Sequence, residues 1–258
     1  MGTPAPREAM EVVGKRSELV TCLLDGPQDT RDLVDALGAS RSTVYRGTRE
    51  LEALRLVEQD GGKYHLTTFG RLVVELYDSF YENLKTLCEL ETPLSDLPRE
   101  ANLPADVFCG GEVVHAVSHD PDRPVDAFEQ AVREASRLQG FSPITRSRYV
   151  ELFANELRSG SLEAELLTTT SVVTYLVSEY ADVMEDVFAL ENFRFFTTEE
   201  PLPYELIVVE EPEPFVGISL YDSRQNMRAF VTNHDADAIA WGRAQFESYR
   251  ELAECVTD

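Results

Sequence analysis

Between Ser40 and Arg49 the chain reads Ser-Arg-Ser-Thr-Val-Tyr-Arg-Gly-Thr-Arg, with three arginines and no acid. Arginine is planar, permanently charged and presents its donors as a fork, which suits phosphate oxygens and the edge of guanine. Ser40 fits the N-cap of a helix in which Val44, Leu51 and Leu54 recur at helical spacing on one face. That spacing leaves Arg41, Ser42, Tyr45, Arg46 and Arg49 on the other face as hydrogen-bond donors. The residues that follow alternate and turn at Asp60-Gly61-Gly62, a hairpin signal, with Lys63 just beyond the turn. A basic helix followed directly by a small hairpin has the order of a recognition helix and wing. Double-stranded DNA is therefore the expected partner, and Ser40, Arg41, Ser42, Thr43, Tyr45, Arg46, Arg49 and Lys63 are the expected contact set.

A second group of residues carries hydroxyls: Ser142, Thr168, Thr169, Ser171, Thr197 and Thr198. Ser142 lies in the Phe141-Ser142-Pro143 link, and the others fall at or just past the ends of expected strands. Open α/β sheets bind small molecules at the carboxyl ends of their strands, so these six form a candidate effector site for a polar metabolite. The competing reading is that they are N-caps and turn residues for the helices that follow. A third group, His115, His119, Asp120 and Asp122 with Cys109 nearby, has ligand chemistry. However, Val113–Val117 reads as a strand, which does not put the two histidines on one helix face. No metal and no cofactor are expected. Neither a G-x-S-x-G elbow nor a P-loop occurs.

The elements that must position these groups follow from periodicity. Glu8–Asp25 is an apolar stripe of one helix, or of two meeting near Gly14, and Asp29 or Thr30 caps the next helix, which Gly38 closes. Thr67 or Thr68 starts a long helix to about Glu91. Phe69, Val73, Leu76, Phe80, Leu87 and Leu90 form its stripe, Asn83 lies in the same series, and Leu72 and Leu84 flank it. Such a stripe serves as a homodimer seam or packs on the chain's own second domain. After Thr92–Pro98 the pattern changes to strands at Val107–Val117, Ala164–Thr169, Phe193–Thr197, Tyr204–Val209, Phe215–Tyr221 and Met227–Thr232. Helices are expected at Pro124–Leu138, Ser147–Arg158, Val173–Leu190 and Ala236–Ala253, with Phe141–Pro143 a short buried link. The fold class is α/β and multi-domain: a winged helix-turn-helix over 1–67, a linker or dimerisation helix over 68–92 and an α/β sensing domain over 93–258.

Charge divides along the same line. The chain holds 23 Lys+Arg against 47 Asp+Glu, a net of -24. Residues 1–66 carry 9 basic and 11 acidic side chains, net -2, which leaves 14 and 36, net -22, for residues 67–258. Lysine occurs only at Lys15, Lys63 and Lys85. An acidic, lysine-poor surface fits a cytoplasm of high salt, where screening relieves self-repulsion. The start, Met1-Gly2-Thr3-Pro4-Ala5-Pro6, has no basic or apolar leader pattern, and no apolar run is long enough for a membrane span. The four cysteines form no C-x-x-C pair, so reduced thiols of a cytoplasmic protein are expected.

The chain resembles archaeal winged-helix regulators, particularly haloarchaeal ones, through Gly38-x-Ser40-Arg41-x-Thr43-Val44 and Tyr64-x-Leu66-Thr67-x-x-Gly70. Its C-terminal part is similar to the sensing domain of methanogenesis and filament-formation regulators. The matching stretches are Gly140–Pro143, Tyr149–Leu152, Pro203-Tyr204, Val216–Ile218, Tyr221-Asp222, and Asp235 through Trp241 to Glu251. The resemblance covers nearly the whole chain. It implies a one-component transcriptional regulator whose α/β sandwich is related in shape to the phospholipase-D half-fold. Chemistry of that type needs a His-x-Lys nucleophile. None of the four histidines has a lysine two positions on, so no catalytic residue is expected. A regulator acting through protein contacts of the α/β domain, without a small-molecule ligand, is the alternative.

Overall fold

The computed structural model describes residues 4–99 and 101–257. Met1–Thr3, read above as part of a leaderless start and of the domain 1–67, lie outside the described residues, as do Glu100 and Asp258 of the domain 93–258. Two compact units are present, one ending at Leu84 and the other beginning at Lys85. The division falls inside the long helix, within the segment 68–92 expected as a linker.

The first unit contains α1 (Pro6–Lys15), α2 (Ser17–Leu24), β1 (Gln28–Asp29), α3 (Thr30–Leu37), α4 (Arg41–Ala53), β2 (Val57–Asp60), β3 (Lys63–Leu66) and most of α5 (Thr68–Glu89). The Glu8–Asp25 stripe is two helices that break at Arg16 rather than at Gly14. Asp29 caps α3 by a capping box with Asp32. β1, which the sequence did not signal, pairs with β3 to complete an antiparallel β1-β3-β2 sheet. In the wing, Asp60 pairs with Lys63 across Gly61 and Gly62, whose φ values of 55° and 83° suit a two-residue primed turn. Val13, Leu19, Leu33, Val44, Leu51, Leu56, Tyr64 and Val74 close one core over these elements. Thr67 caps α5, its Oγ1 accepting from Gly70 N at 2.8 Å. A Cβ at Gly70 would lie 1.9 Å from the Leu56 carbonyl oxygen, so only glycine lets α5 start against the α4–β2 turn.

The second unit is a sheet of eight strands covered on both faces. Its strands are β4 (Glu112–His115), β5 (Arg137–Ser142), β6 (Glu163–Thr169), β7 (Phe193–Thr198), β8 (Glu205–Glu211), β9 (Phe215–Tyr221), β10 (Met227–Asn233) and β11 (Glu254–Cys255). They run in the order β11-β7-β6-β5-β8-β9-β10-β4, with β5, β6 and β7 parallel and all the other pairings antiparallel. α7 (Arg123–Glu134), α8 (Ser147–Ser159), α9 (Thr170–Glu179) and α10 (Ala181–Phe188) cover one face, over a core that includes Phe128, Tyr149, Leu176, Phe195 and Ile207. α6 (Glu91–Ser95) and α11 (Ala236–Arg250) cover the other, over Phe141, Leu206, Ile218 and Phe246. The α/β multi-domain class expected from sequence holds.

Several element boundaries differ from expectation. Val107–Val117 is not one strand: Ala105–Val107 is a 3-10 turn, and the chain reverses at Gly110, with φ 73°, before β4. α7 stops at Glu134 because Ala135 is already extended. Leu138 and the Phe141-Ser142 pair therefore belong to β5, not to a helix and a link. The expected helix Val173–Leu190 is two helices, broken at Tyr180. α5 ends at Glu89, and Glu91–Ser95 is a separate turn of helix.

The stripe on α5 divides three ways. Val73 packs into the core of the first unit, and Leu87 and Leu90 into the core of the second. The stretch between them is uncovered: Leu76 is 73% exposed and Phe80 51%, with Phe69, Leu72, Tyr81 and Leu84 also exposed. Packing on the chain's own second domain thus accounts for the end of the stripe but not its middle.

Candidate nucleic-acid interface and effector cavity

α4 is two-faced. Val44, Gly47, Thr48 and Leu51 are buried, while Arg41, Ser42, Thr43, Tyr45, Arg46 and Arg49 are exposed. At its N-terminus Ser40 Oγ accepts from Thr43 N at 3.2 Å and lies 2.8 Å from Ser42 Oγ and 2.9 Å from Thr43 Oγ1. A cluster of hydroxyls on a capped helix N-terminus presents donors and a partial positive charge to an anion. Arg49 lies over the Tyr45 ring at 5.9 Å and pairs with Glu52 at 3.6 Å. Arg41 and Arg46 have no ion pair among the described residues. Glu50, an acid on the same helix, is taken up by Arg16 at 3.0 Å and Lys15 at 3.1 Å. Hydrogen bonds from Arg16 and Lys15 hold its carboxyl down to about 2. This leaves a cationic outer face. Lys63 is exposed at the tip of the wing, and seven of the eight expected contact residues lie on α4 or its cap.

The six hydroxyls of the second group come together at one end of the sheet, because β5, β6 and β7 are parallel. Ser142 pairs in register with Thr168, Thr168 with Thr197, and Thr169 with Thr198. Most of their bonds are local. Ser142 Oγ donates to the Ile144 carbonyl at 2.8 Å, Thr168 Oγ1 to the Ser142 carbonyl at 2.7 Å, and Thr169 Oγ1 meets Ser171 Oγ at 3.0 Å. Thr197 Oγ1 donates to Thr170 Oγ1 at 3.3 Å, and Thr198 Oγ1 accepts from Glu200 N at 3.1 Å. Only Ser142 and Thr168 line the cavity at this end, a space of about 100 Å³ between the sheet and α8, α9 and α10.

The polar end of that cavity is built from residues that sequence reasoning missed. Glu205 and Tyr149 line it, and both are buried, at 3% and 4% exposure. Tyr221 donates from its hydroxyl to Glu205 Oε2. The Arg146 guanidinium lies 5.7 Å from the Tyr221 ring centre, and one of its nitrogens donates to the Gln225 carbonyl. Burial pushes the Glu205 carboxyl above its ordinary range, and burial likewise raises the Tyr149 and Tyr221 hydroxyls. One signal was present in the sequence: Glu205 is the lone charge in Tyr204–Val209, an otherwise apolar strand.

The third group does not assemble. His115 lies in β4 with Nε2 3.9 Å from Glu89, and no cluster of three or more His, Cys, Asp or Glu among the described residues is placed to hold a metal ion. No helix among the described residues is long and apolar enough to cross a membrane.

A winged helix-turn-helix unit and an α/β unit on one chain define the class by its fold. The chain belongs to the family of the methanogenesis regulatory protein FilR1, middle domain, whose family model matches residues 121–252. A second family model, the HVO_A0261 N-terminal domain, matches residues 8–87. The chain is similar to the methanogenesis regulatory protein FilR1 of Methanothrix harundinacea (strain 6Ac), at 24% identity over 249 residues. That match covers 92% of this chain and 55% of the relative, so the chain spans about half the length of the curated relative it matches. Among solved structures it is similar to TrmBL2, an archaeal chromatin protein, at 15% identity and TM-score 0.42, covering 96% of this chain and 99% of that one. It is also similar to the phospholipase D family member Nuc from Salmonella typhimurium, at 10% identity and TM-score 0.44, covering 56% of this chain and 97% of that one.

Proposed function

We propose that the chain is a one-component transcriptional regulator that binds double-stranded DNA through α4 and the wing. The carrying observation is the face of α4 on which Arg41, Ser42, Tyr45, Arg46 and Arg49 are exposed while Val44 and Leu51 are buried. In this reading the α4 side chains enter the major groove, the hydroxyls at its N-terminus meet a phosphate, and Lys63 meets the flanking backbone. The exposed Leu72, Leu76, Phe80 and Leu84 recur every fourth residue along α5. They support a homodimer in which a second copy covers the stripe and spaces two half-sites.

The α/β unit is the effector-sensing part. Ser142 and Thr168 take the ligand side of the proposed site, and Thr169, Ser171, Thr197 and Thr198 shape the loops around it. The net -22 of residues 67–258 against -2 for residues 1–66 supports a halophilic, cytoplasmic protein whose surface charge is screened in use. The test is a gel shift with genomic fragments in high-KCl buffer, followed by footprinting of any retarded fragment. Retention of discrete fragments by wild type, lost in Arg41→Ala/Arg46→Ala, is the expected result. Absence of any retarded fragment at any salt overturns the reading.

A further inference from the structure

The cavity of the second unit differs in kind from a polar-metabolite site. Most of its wall is apolar, with Phe153, Leu176, Met184, Val187 and Phe195 prominent, and its polar groups are gathered at the β5 end. There the Tyr149 hydroxyl lies buried near that of Tyr221, and among the described residues it, the Ser219 Oγ and the Arg146 Nε have no hydrogen-bond partner at normal distance and angle. Buried polar atoms without partners are uncommon in folded proteins and call for an explanation, such as a missing ligand. Glu205 is buried at the same place, with the Tyr221 hydroxyl on one of its oxygens.

The geometry points to a specific ligand class: a small, neutral, mainly apolar molecule carrying one hydroxyl, held by Tyr149 and Glu205 with its hydrocarbon part among the helices. This rests on the reading of the α/β unit as the sensor and adds the chemistry of its effector. A hydroxyl both donates and accepts, so it satisfies the Tyr149 O–H and the Glu205 carboxyl together. An ammonium only donates and leaves the Tyr149 proton without an acceptor. A carboxylate would give up its hydration for a mostly apolar wall, which is costly for an ion. Size sets the remaining limit. A dry cavity of about 150 Å³ lined by Leu, Ile and Phe holds benzene, so about 100 Å³ makes a single six-membered ring the upper limit and leaves room for a short branched chain.

The probes that test this are phenol, cyclohexanol, benzene, benzylammonium and benzoate, added to the full-length chain in high KCl and read by calorimetry and thermal shift. Phenol or cyclohexanol is expected to bind at least tenfold tighter than benzene, and the two ions not to bind. Tyr149→Phe and Glu205→Leu roughly keep the cavity's volume while removing its polar groups. They are expected to bring phenol down to the affinity of benzene while leaving benzene unchanged, which a merely structural role would not produce. Ala154→Leu, which fills the space, is expected to abolish binding of all probes. Equal affinity for phenol and benzene, preference for benzylammonium, or no binding by the folded wild type overturns the inference. A gel shift on the same sample separates the two readings. DNA retained without probe binding sinks only the ligand class, and probe binding without DNA sinks only the DNA-binding reading.

Discussion

Tyr221 on β9 donates a hydrogen bond to Glu205 on β8, and both side chains project toward α7 and α8 from the same face of the sheet. Glu205 pairs in register with Ser219, so Tyr221 is its diagonal neighbour two residues on. The bond supplies a buried carboxyl with a donor. Tyr221→Phe is expected to cost about 1–3 kcal/mol, the desolvation cost of a buried polar group that has lost its partner. Denaturant melts measure this, and an unchanged midpoint would show that the tyrosine hydroxyl contributes nothing.

Arg46 and Arg49 differ in what they already hold. Arg49 stacks on Tyr45 and pairs with Glu52, whereas Arg46 is unpaired among the described residues. Loss of a bidentate guanine contact costs about 1–3 kcal/mol, whereas loss of a phosphate contact lowers the salt slope by about one. Arg46→Ala is expected to weaken DNA binding more than Arg49→Ala. Unchanged affinity in both variants and in the double would remove α4 from the interface.

The stripe on α5 predicts an oligomer. Leu76→Glu/Phe80→Glu puts charges where a partner would bury them, at several kcal/mol if the seam stays closed. Light scattering is expected to give a dimer for the wild type and a folded monomer for the variant. A surviving dimer moves the interface elsewhere, with α11 the next candidate.

Two glutamates oppose each other in acid. Glu50 is held down to about 2 by Arg16 and Lys15, against an ordinary 4.5. Its folded value is depressed, so its contribution to stability is present above 4.5 and is lost as pH falls toward 2. Glu205 is raised by burial, so its contribution is complete below the ordinary 4.5 and is lost as pH rises through its folded value. Melts from neutral to acid pH are expected to flatten on the acid side in Glu50→Gln and on the alkaline side in Glu205→Gln. Parallel curves for wild type and both variants would contradict the assignment.

Salt acts on DNA binding in two directions. Counterion release weakens Arg–phosphate contacts with a slope near -0.9 per phosphate, while screening relieves repulsion between the duplex and the acidic second unit. Binding is expected to persist in molar KCl, and circular dichroism to show lost structure in dilute buffer. A protein folded at low salt that steadily loses DNA as KCl rises would refute the halophilic reading.

Much was legible in sequence wherever the physics is local. Apolar spacing in Arg41–Ala53, the Ser40 cap and the Asp60–Lys63 turn give α4 and the wing without any distant contact, because period, capping and turn chemistry act within a few residues. Phe215–Tyr221 is found to the residue for the same reason. The rest depended on contacts between segments far apart in the chain. Arg137–Ser142 became a strand because β6 and β8 hold it on both sides, and Gly140 admits the Leu206 carbonyl, to which a Cβ would come within 2.5 Å. The cavity with Tyr149 and Glu205 exists only where α8 closes on β8, and Glu205 lies more than fifty residues beyond Tyr149 along the chain. Spacing alone carries no information about which buried hydroxyl is left without a partner, since that is decided when the sheet and its helices are packed together.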